Sequence, residues 1–203
     1  MKIICIGRNY ADHIEELNNE RPESPVIFSK PPSAILPEGN VFEIPEWTNN
    51  VHHEIEIVVK INQRAKNLSP EEAEHIFEEY TLGIDFTARD LQSKLKAKGL
   101  PWETAKGFDG SAPLGSLYLS KKEVPLTDLN FSLNKNGQPQ QVGNTKMMIW
   151  KINELIAHIS KFFTLEEGDL IFTGTPAGVS QVTEGDILDA FIEDQQILRL
   201  QVK

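Results

Sequence analysis

The chain has 203 residues, 39% of them hydrophobic, and its 20 basic and 30 acidic residues give a net charge of −10. One domain over residues 1–203 is the expectation at this length, with enough apolar content for a substantial core. The acidic balance argues against nucleic acid or an anionic membrane surface as a partner, because both select a basic footprint. Cys5 is the single cysteine, which excludes an intramolecular disulfide and makes a reducing, cytoplasmic compartment the expectation. The opening "MKIICIG" is too short for a secretory signal, and no apolar run approaches the roughly 18 residues of a membrane span.

In chain order, residues 2–6 read as a short strand that ends at Gly7, and "ADHIEELNN" as a short helix closed by Asn18-Asn19. "PVIFSKPPSAILPEGN" reads as a loop with one brief strand, since Pro31, Pro32 and Pro37 remove ladder donors. Residues 54–61 alternate as a strand with one buried face. "SPEEAEHIFEEY" is expected to be a helix with Ser69 as N-cap, Pro70 at the first position and residues 73, 76, 77 and 80 on one face. "TLGIDFTARD" follows as a strand running into a loop or helix. Asn136-Gly137 signals a hairpin, and "TKMMIWKINELIAHISKFF" predicts the one long amphipathic helix. Short strands punctuated by Gly168-Asp169, Gly174 and Gly185-Asp186 complete a β-rich α+β pattern.

The strand "VHHEIEIVVKI" places Glu54 and Glu56 two residues apart, so both side chains leave the same face. Two adjacent carboxylates repel, and burying them together is unfavourable unless a cation lies between them. A rail of glutamates facing solvent accounts for this segment equally well. Asp85, at the end of the apolar "TLGID", adds a third acid, although a strand-end aspartate also serves simply as a turn residue. Three oxygen donors without cysteines or paired histidines suit a hard cation such as magnesium or manganese rather than zinc.

The blocks "GRNYADH", "HHEIEIVV", "GIDFTARDLQ", "KGLPWETAKGFD" and "TLEEGDLIFTGTPAGV" occur in order over nearly the whole chain. In this the chain resembles the fumarylacetoacetate hydrolase family, especially its short members that act as acylpyruvases and oxaloacetate decarboxylases. The resemblance implies a mixed β-sandwich or roll with short helices and a homodimeric assembly. It implies Glu54, Glu56 and Asp85 as ligands of Mg2+ or Mn2+, Lys106 as an active-site ammonium, and His13 with Glu16 as a catalytic dyad. The dyad's spacing of three residues places both side chains on one helical face. Thr175 is implied as a contact for the substrate carboxylate. Arg89 and Gln92 are further candidate substrate contacts, with Arg8 and Lys30 behind them.

The expected chemistry is hydrolysis of the C–C bond of an acylpyruvate, with oxaloacetate decarboxylation as a side activity through the same pyruvate enolate. Alternatives are an isomerase or decarboxylase of hydroxymuconate-type diacids, and a non-catalytic binding protein that keeps the fold.

Overall fold

The computed structural model describes residues 1–37, 39 and 41–203. Strands dominate, and the helices are few and short, as the α+β reading expects. The largest sheet runs in the order Val26–Lys30, Ile3–Gly7, Leu170–Phe172, Ile55–Ile61, Phe77–Ile84, Ala112–Leu114 and Ile35–Pro37, with Leu119–Ser120 beside Phe77–Ile84. A second sheet is ordered Gln138–Asn144, Asn130–Lys135, Ile187–Ile192, Gln195–Val202 and Val41–Phe42. A small third sheet joins Ser180–Gln181, Val51–His53 and Thr87–Ala88.

The central strand Ile55–Ile61 departs from the one-faced expectation. Ile57 and Val59 enter the main core with Leu82, Phe131 and Leu198, whereas Val58 packs on the other face with Ile3, Cys5 and Phe172. A strand covered on both faces reads as a nearly continuous apolar run, as "IEIVVKI" does. The polar Glu56 in this run is therefore buried, and a solvent-facing rail is excluded.

The expected helix over 69–80 forms only at Pro70–Ala73, capped reciprocally by Ser69 and Glu72. Phe77–Ile84 is instead a strand, paired through Tyr80↔Val59 and Phe77↔Ile61. Apolar spacing compatible with a helix is overridden there by two strand neighbours. The long helix is also shorter than expected, Ile152–Phe162, with Leu155, Ile156 and Ile159 buried. Residues 148–150, a bridge residue followed by a bend, are tied to Asn9 and Tyr10. Ile149 donates its N–H to the Asn9 carbonyl at 2.8 Å, and Tyr10 bridges Met148.

Two strands, Val26–Lys30 and Ile35–Pro37, replace the single brief strand expected before residue 40; Pro37 is tolerated because its strand lies at the sheet edge. Glu38 and Asn40 of that segment lie outside the described residues. The hairpin forms as read, with Asn136 at φ 55° and Gly137 at φ 75°, the left-handed pair of a tight two-residue turn. Among the described residues, no helix is long and apolar enough to cross a membrane.

Candidate active site

Strand direction in the large sheet assembles the site. Ile3–Gly7 runs parallel to Leu170–Phe172, and Ile55–Ile61 runs antiparallel both to that strand and to Phe77–Ile84. The C-terminal ends of three strands therefore meet the N-terminal end of Ile55–Ile61 along one edge. Arg8 to Glu16 leave one end, Gly174 to Gly178 leave another, Asp85 follows the third, and Glu54 precedes the fourth. Residues separate in sequence converge here because sheet register places them together.

Glu54, Glu56 and Asp85 each offer a carboxylate oxygen within 4.8 Å of the others. All three are buried, with Asp85 fully inaccessible. Lys106, on the short helix Glu103–Lys106, inserts its ammonium between two of them, 2.8 Å from Glu54 Oε2 and 2.6 Å from Asp85 Oδ2. The Phe28 ring lies against that ammonium, its centroid 5.0 Å from Nζ. Arg89 pairs with the second oxygen of Glu54 and donates to Gln92 Oε1 at 2.7 Å.

The electrostatics differ among the three acids. Burial alone would raise Glu54, but Lys106 and Arg89, with His13, outweigh it and hold the carboxyl well below its ordinary range. Burial raises Glu56, and Asp85 and Glu54 push it further up. Glu56 accepts one hydrogen bond, from the Gly174 N–H at 2.7 Å, and none of the described ion pairs includes it. A buried carboxylate with so little compensation, beside two others, fits a divalent cation with oxygen preference. Burial opposes the charge on Lys106, yet Asp85 and Glu54 raise its pKa above the ordinary value. Those two carboxylates thus favour its charged, ammonium form.

His13 and Glu16 lie on the helix Ala11–Glu16, with His13 Nδ1 3.1 Å from Glu16 Oε2. Glu16 Oε1 accepts the Gly178 N–H at 2.9 Å, which ties this helix to the loop after Phe172. That loop is closely fitted. Gly174 has φ +100°, and an added Cβ would meet Asn9 Cβ at 2.7 Å. At Gly178, with φ +99°, a Cβ would fall 2.1 Å from the Gln140 carbonyl oxygen. Only glycine satisfies both the conformation and the close approach.

His13, Glu54, Glu56, Asp85, Arg89, Gln92, Lys106 and Thr175 all line one cleft of about 120 Å³. The Thr175 hydroxyl donates to the Ile55 carbonyl at 2.8 Å, so its proton is already committed within the protein. Lys30 is not a cleft residue. Its ammonium is buried behind Asp85, 2.7 Å from Oδ1, and donates to the Ser111 carbonyl at 3.0 Å. It pairs with Asp85 as a neighbouring charge without directed hydrogen-bond geometry, since Oδ1 has no aligned donor.

Two positioning residues escape sequence reasoning. Asn9 is fully buried and joins three segments: Nδ2 donates to the carbonyls of Trp150 and Thr173, and Oδ1 accepts the Trp150 N–H. Its place in "GRNY" is the only signal. Gln141 is equally buried and uses its whole amide. Oε1 accepts the Ile55 N–H at 3.0 Å and lies 2.9 Å from His53 Nδ1, while Nε2 donates to Thr175 Oγ1 at 2.8 Å and the Pro176 carbonyl at 2.9 Å. In sequence it is one more polar residue of a hairpin strand.

Residues 2–203 match the family described as fumarylacetoacetate (FAA) hydrolase C-terminal. A mitochondrial oxaloacetate tautomerase from Bos taurus is 42% identical over 202 residues, covering 99% of this chain and 91% of its own. Fumarylpyruvate hydrolase from Pseudomonas aeruginosa, solved in complex with Mn2+ and pyruvate, superposes with a TM-score of 0.93 at 36% identity, covering 100% of this chain and 89% of its own. The 5-carboxymethyl-2-hydroxymuconate delta-isomerase from Mycobacterium smegmatis superposes with a TM-score of 0.88 at 35% identity, covering 99% and 78%. With the acidic triad, the Mn2+ in the Pseudomonas relative points to a divalent metal. From its match over almost every residue and its fold, the chain belongs to the fumarylacetoacetate hydrolase family.

Proposed function

We propose that this chain is a cytoplasmic, homodimeric, metal-dependent enzyme of 2-oxoacids that hydrolyses the C3–C4 bond of acylpyruvates. The observation that carries the reading is the juxtaposition, in one cleft, of a three-carboxylate floor and His13, which Glu16 holds at Nδ1 from outside the cleft lining. Glu54, Glu56 and Asp85 would hold Mg2+ or Mn2+, which when bound supplies Lewis acidity toward the 2-oxo group and its neighbouring carboxylate.

The chain's own residues account for the remaining work. Lys106 presents an ammonium where enolate charge develops as the C3–C4 bond breaks, and preorganised charge at that place lowers the barrier. His13, oriented through Nδ1 by Glu16, takes a proton at Nε2 from the water that attacks the C4 carbonyl. Arg89, already bound to Glu54, and Gln92 face the substrate from the start of the helix Arg89–Ala97. The products are pyruvate, after protonation at C3, and the carboxylic acid of the acyl group.

The oxaloacetate tautomerase relative, 42% identical over 99% of this chain, favours a second reading on the same parts. Moving a proton between C3 and the 2-oxo oxygen of oxaloacetate uses the same enolate stabilisation and a base, but no attacking water. Decarboxylation of oxaloacetate also needs no activated water. A panel of acetylpyruvate, fumarylpyruvate, oxaloacetate and a hydroxymuconate-type diacid, assayed with Mg2+, with Mn2+ and with chelator, tests the assignment. Metal-dependent pyruvate release from an acylpyruvate is expected. Turnover confined to oxaloacetate tautomerisation would establish the second reading instead, and turnover of none would leave a binding protein.

A further inference from the structure

We propose that Arg8 and Lys96 form an anion subsite at the mouth of the cleft, so that the chain selects 2-oxoacids bearing a second carboxylate remote from the 2-oxo group. The inference rests on the proposed function in one respect: the 2-oxoacid head occupies the carboxylate floor.

The cleft holds two kinds of cation. Arg89 and Lys106 are consumed by the floor, since both bind Glu54. Arg8 and Lys96 also line the cleft, together with Asn19, Ser93 and Trp102, and among the described residues neither forms an ion pair with a carboxylate. Among the described residues, the Arg8 guanidinium reaches the Glu20 carbonyl, at 3.5 Å, and Lys96 donates to the side-chain oxygen of Asn19. What distinguishes the two is their shared place in the cleft that also holds the carboxylate floor.

They are also close enough to oppose each other. Partial burial lowers the Lys96 pKa, and the charges of Arg8 and Arg89 lower it further. Like charges gathered at one cleft mouth repel each other until an anion lies between them. Position supports the same reading. Arg8 follows Gly7 at the end of the strand Ile3–Gly7 and holds φ 62°, a left-handed conformation uncommon for arginine. Lys96 lies in the last turn of the helix Arg89–Ala97, whose first residue contacts the floor. That helix thus spans from the carboxylate end to the cationic end. A chain of net charge −10 repels dianions at long range, and a local pair of cations offsets this where the second carboxylate arrives.

Calorimetric binding in the presence of Mn2+ tests the subsite without turnover. The probes are 2-oxoadipate and 2-oxohexanoate, which share a six-carbon 2-oxo chain and end in a carboxylate or a methyl group. Neither has a C4 carbonyl, so neither is an acylpyruvate. Oxalate, which can occupy only the floor, is the reference. The native protein is expected to bind 2-oxoadipate about tenfold more tightly than 2-oxohexanoate, the scale of a charge-assisted hydrogen bond. Arg8→Asn, which tolerates the left-handed backbone, and Lys96→Met should each reduce that ratio about three- to tenfold, leaving 2-oxohexanoate and oxalate unchanged. No preference in the native protein, a preference that survives both substitutions, or equal weakening of oxalate would overturn the subsite. An intact, substitution-sensitive preference in a protein that releases no pyruvate from acylpyruvates supports the subsite and counts against the hydrolase reading alone.

Discussion

The floor of the cleft and its mouth are built by different means. Glu54, Glu56 and Asp85 sit at the ends of central strands, where pairs such as Ile55↔Ile84 and Glu56↔Gly83 set their spacing. To move them is to break a sheet covered on both faces. The mouth is carried by the six-residue helix Ala11–Glu16 and the helix Arg89–Ala97, held through individual hydrogen bonds such as Gly178 N–H to Glu16 at 2.9 Å. Helices this short gain little stability from their own backbone and depend on such ties. Under the proposed function, chemistry common to all substrates falls to the sheet-built floor and discrimination among reactions to the mouth.

Substitution of His13 is the strongest way to break that division. His13→Ala should lower kcat for acylpyruvate hydrolysis by about 10²- to 10⁴-fold, the usual cost of losing a general base. Oxaloacetate decarboxylation should fall far less, because it needs no activated water. Separate kcat and KM values distinguish lost chemistry from a helix that no longer closes on substrate. Equal losses of kcat on both substrates would abolish the distinction between mouth and floor.

Lys106→Met attacks the floor. Both reactions pass through an enolate, so both should lose about 10²- to 10³-fold in kcat. Glu54 would retain Arg89 and Asp85 would retain Lys30 as cationic partners when the ammonium 2.8 and 2.6 Å away is removed. The stability loss, readable by denaturant titration, should therefore stay below about 3–5 kcal/mol, the cost of a buried charge left without any partner. A loss confined to one substrate would place Lys106 with the mouth.

Gln141→Met sharpens the comparison with a smaller effect. The residue touches no substrate in this account, but it ties Thr175 and Pro176 of the connecting loop to Ile55 beside the floor. Loss of a ligand-orienting partner typically costs about 10- to 100-fold. The expected signature is a fall in kcat on both substrates together with weaker Mn2+ binding. Lower stability with unchanged kcat and metal affinity would reduce Gln141 to a packing role.

Sequence reasoning reached the floor more fully than the scaffold. The three acids alone fitted a solvent-facing rail and a turn residue equally well; it was the ordered motifs that singled out Glu54, Glu56 and Asp85, which the structure brings together, along with Lys106 and His13. Residues 69–80 misled because Ala73, Ile76, Phe77 and Tyr80 satisfy a helical spacing, while the strands on either side of Phe77–Ile84 are distant in sequence. Residues 145–151 misled for the same reason, since Thr145–Met147 forms only a 3-10 turn and Asn9, 141 positions from Trp150, holds the Trp150 N–H outside the α-helix. Lys30 read as a lower-ranked substrate contact because nothing local announces its pairing with Asp85. Gln141 carries no local signal at all. Its importance arises from four partners that only the tertiary fold supplies.

The central claim is that the acidic floor is a divalent-cation site, and thermal unfolding in Mn2+, run on the native chain and on Glu56→Gln, tests it most directly. A ligand present at about 100 times its dissociation constant and bound only to the folded state adds about 2.7 kcal/mol. For a chain of this size that is a rise in Tm of about 5–10 °C. The native protein should show that rise and lose it on chelation, and Glu56→Gln should lose most of it. A rise of equal size in Glu56→Gln, or none in the native chain at saturating Mn2+, would contradict the account.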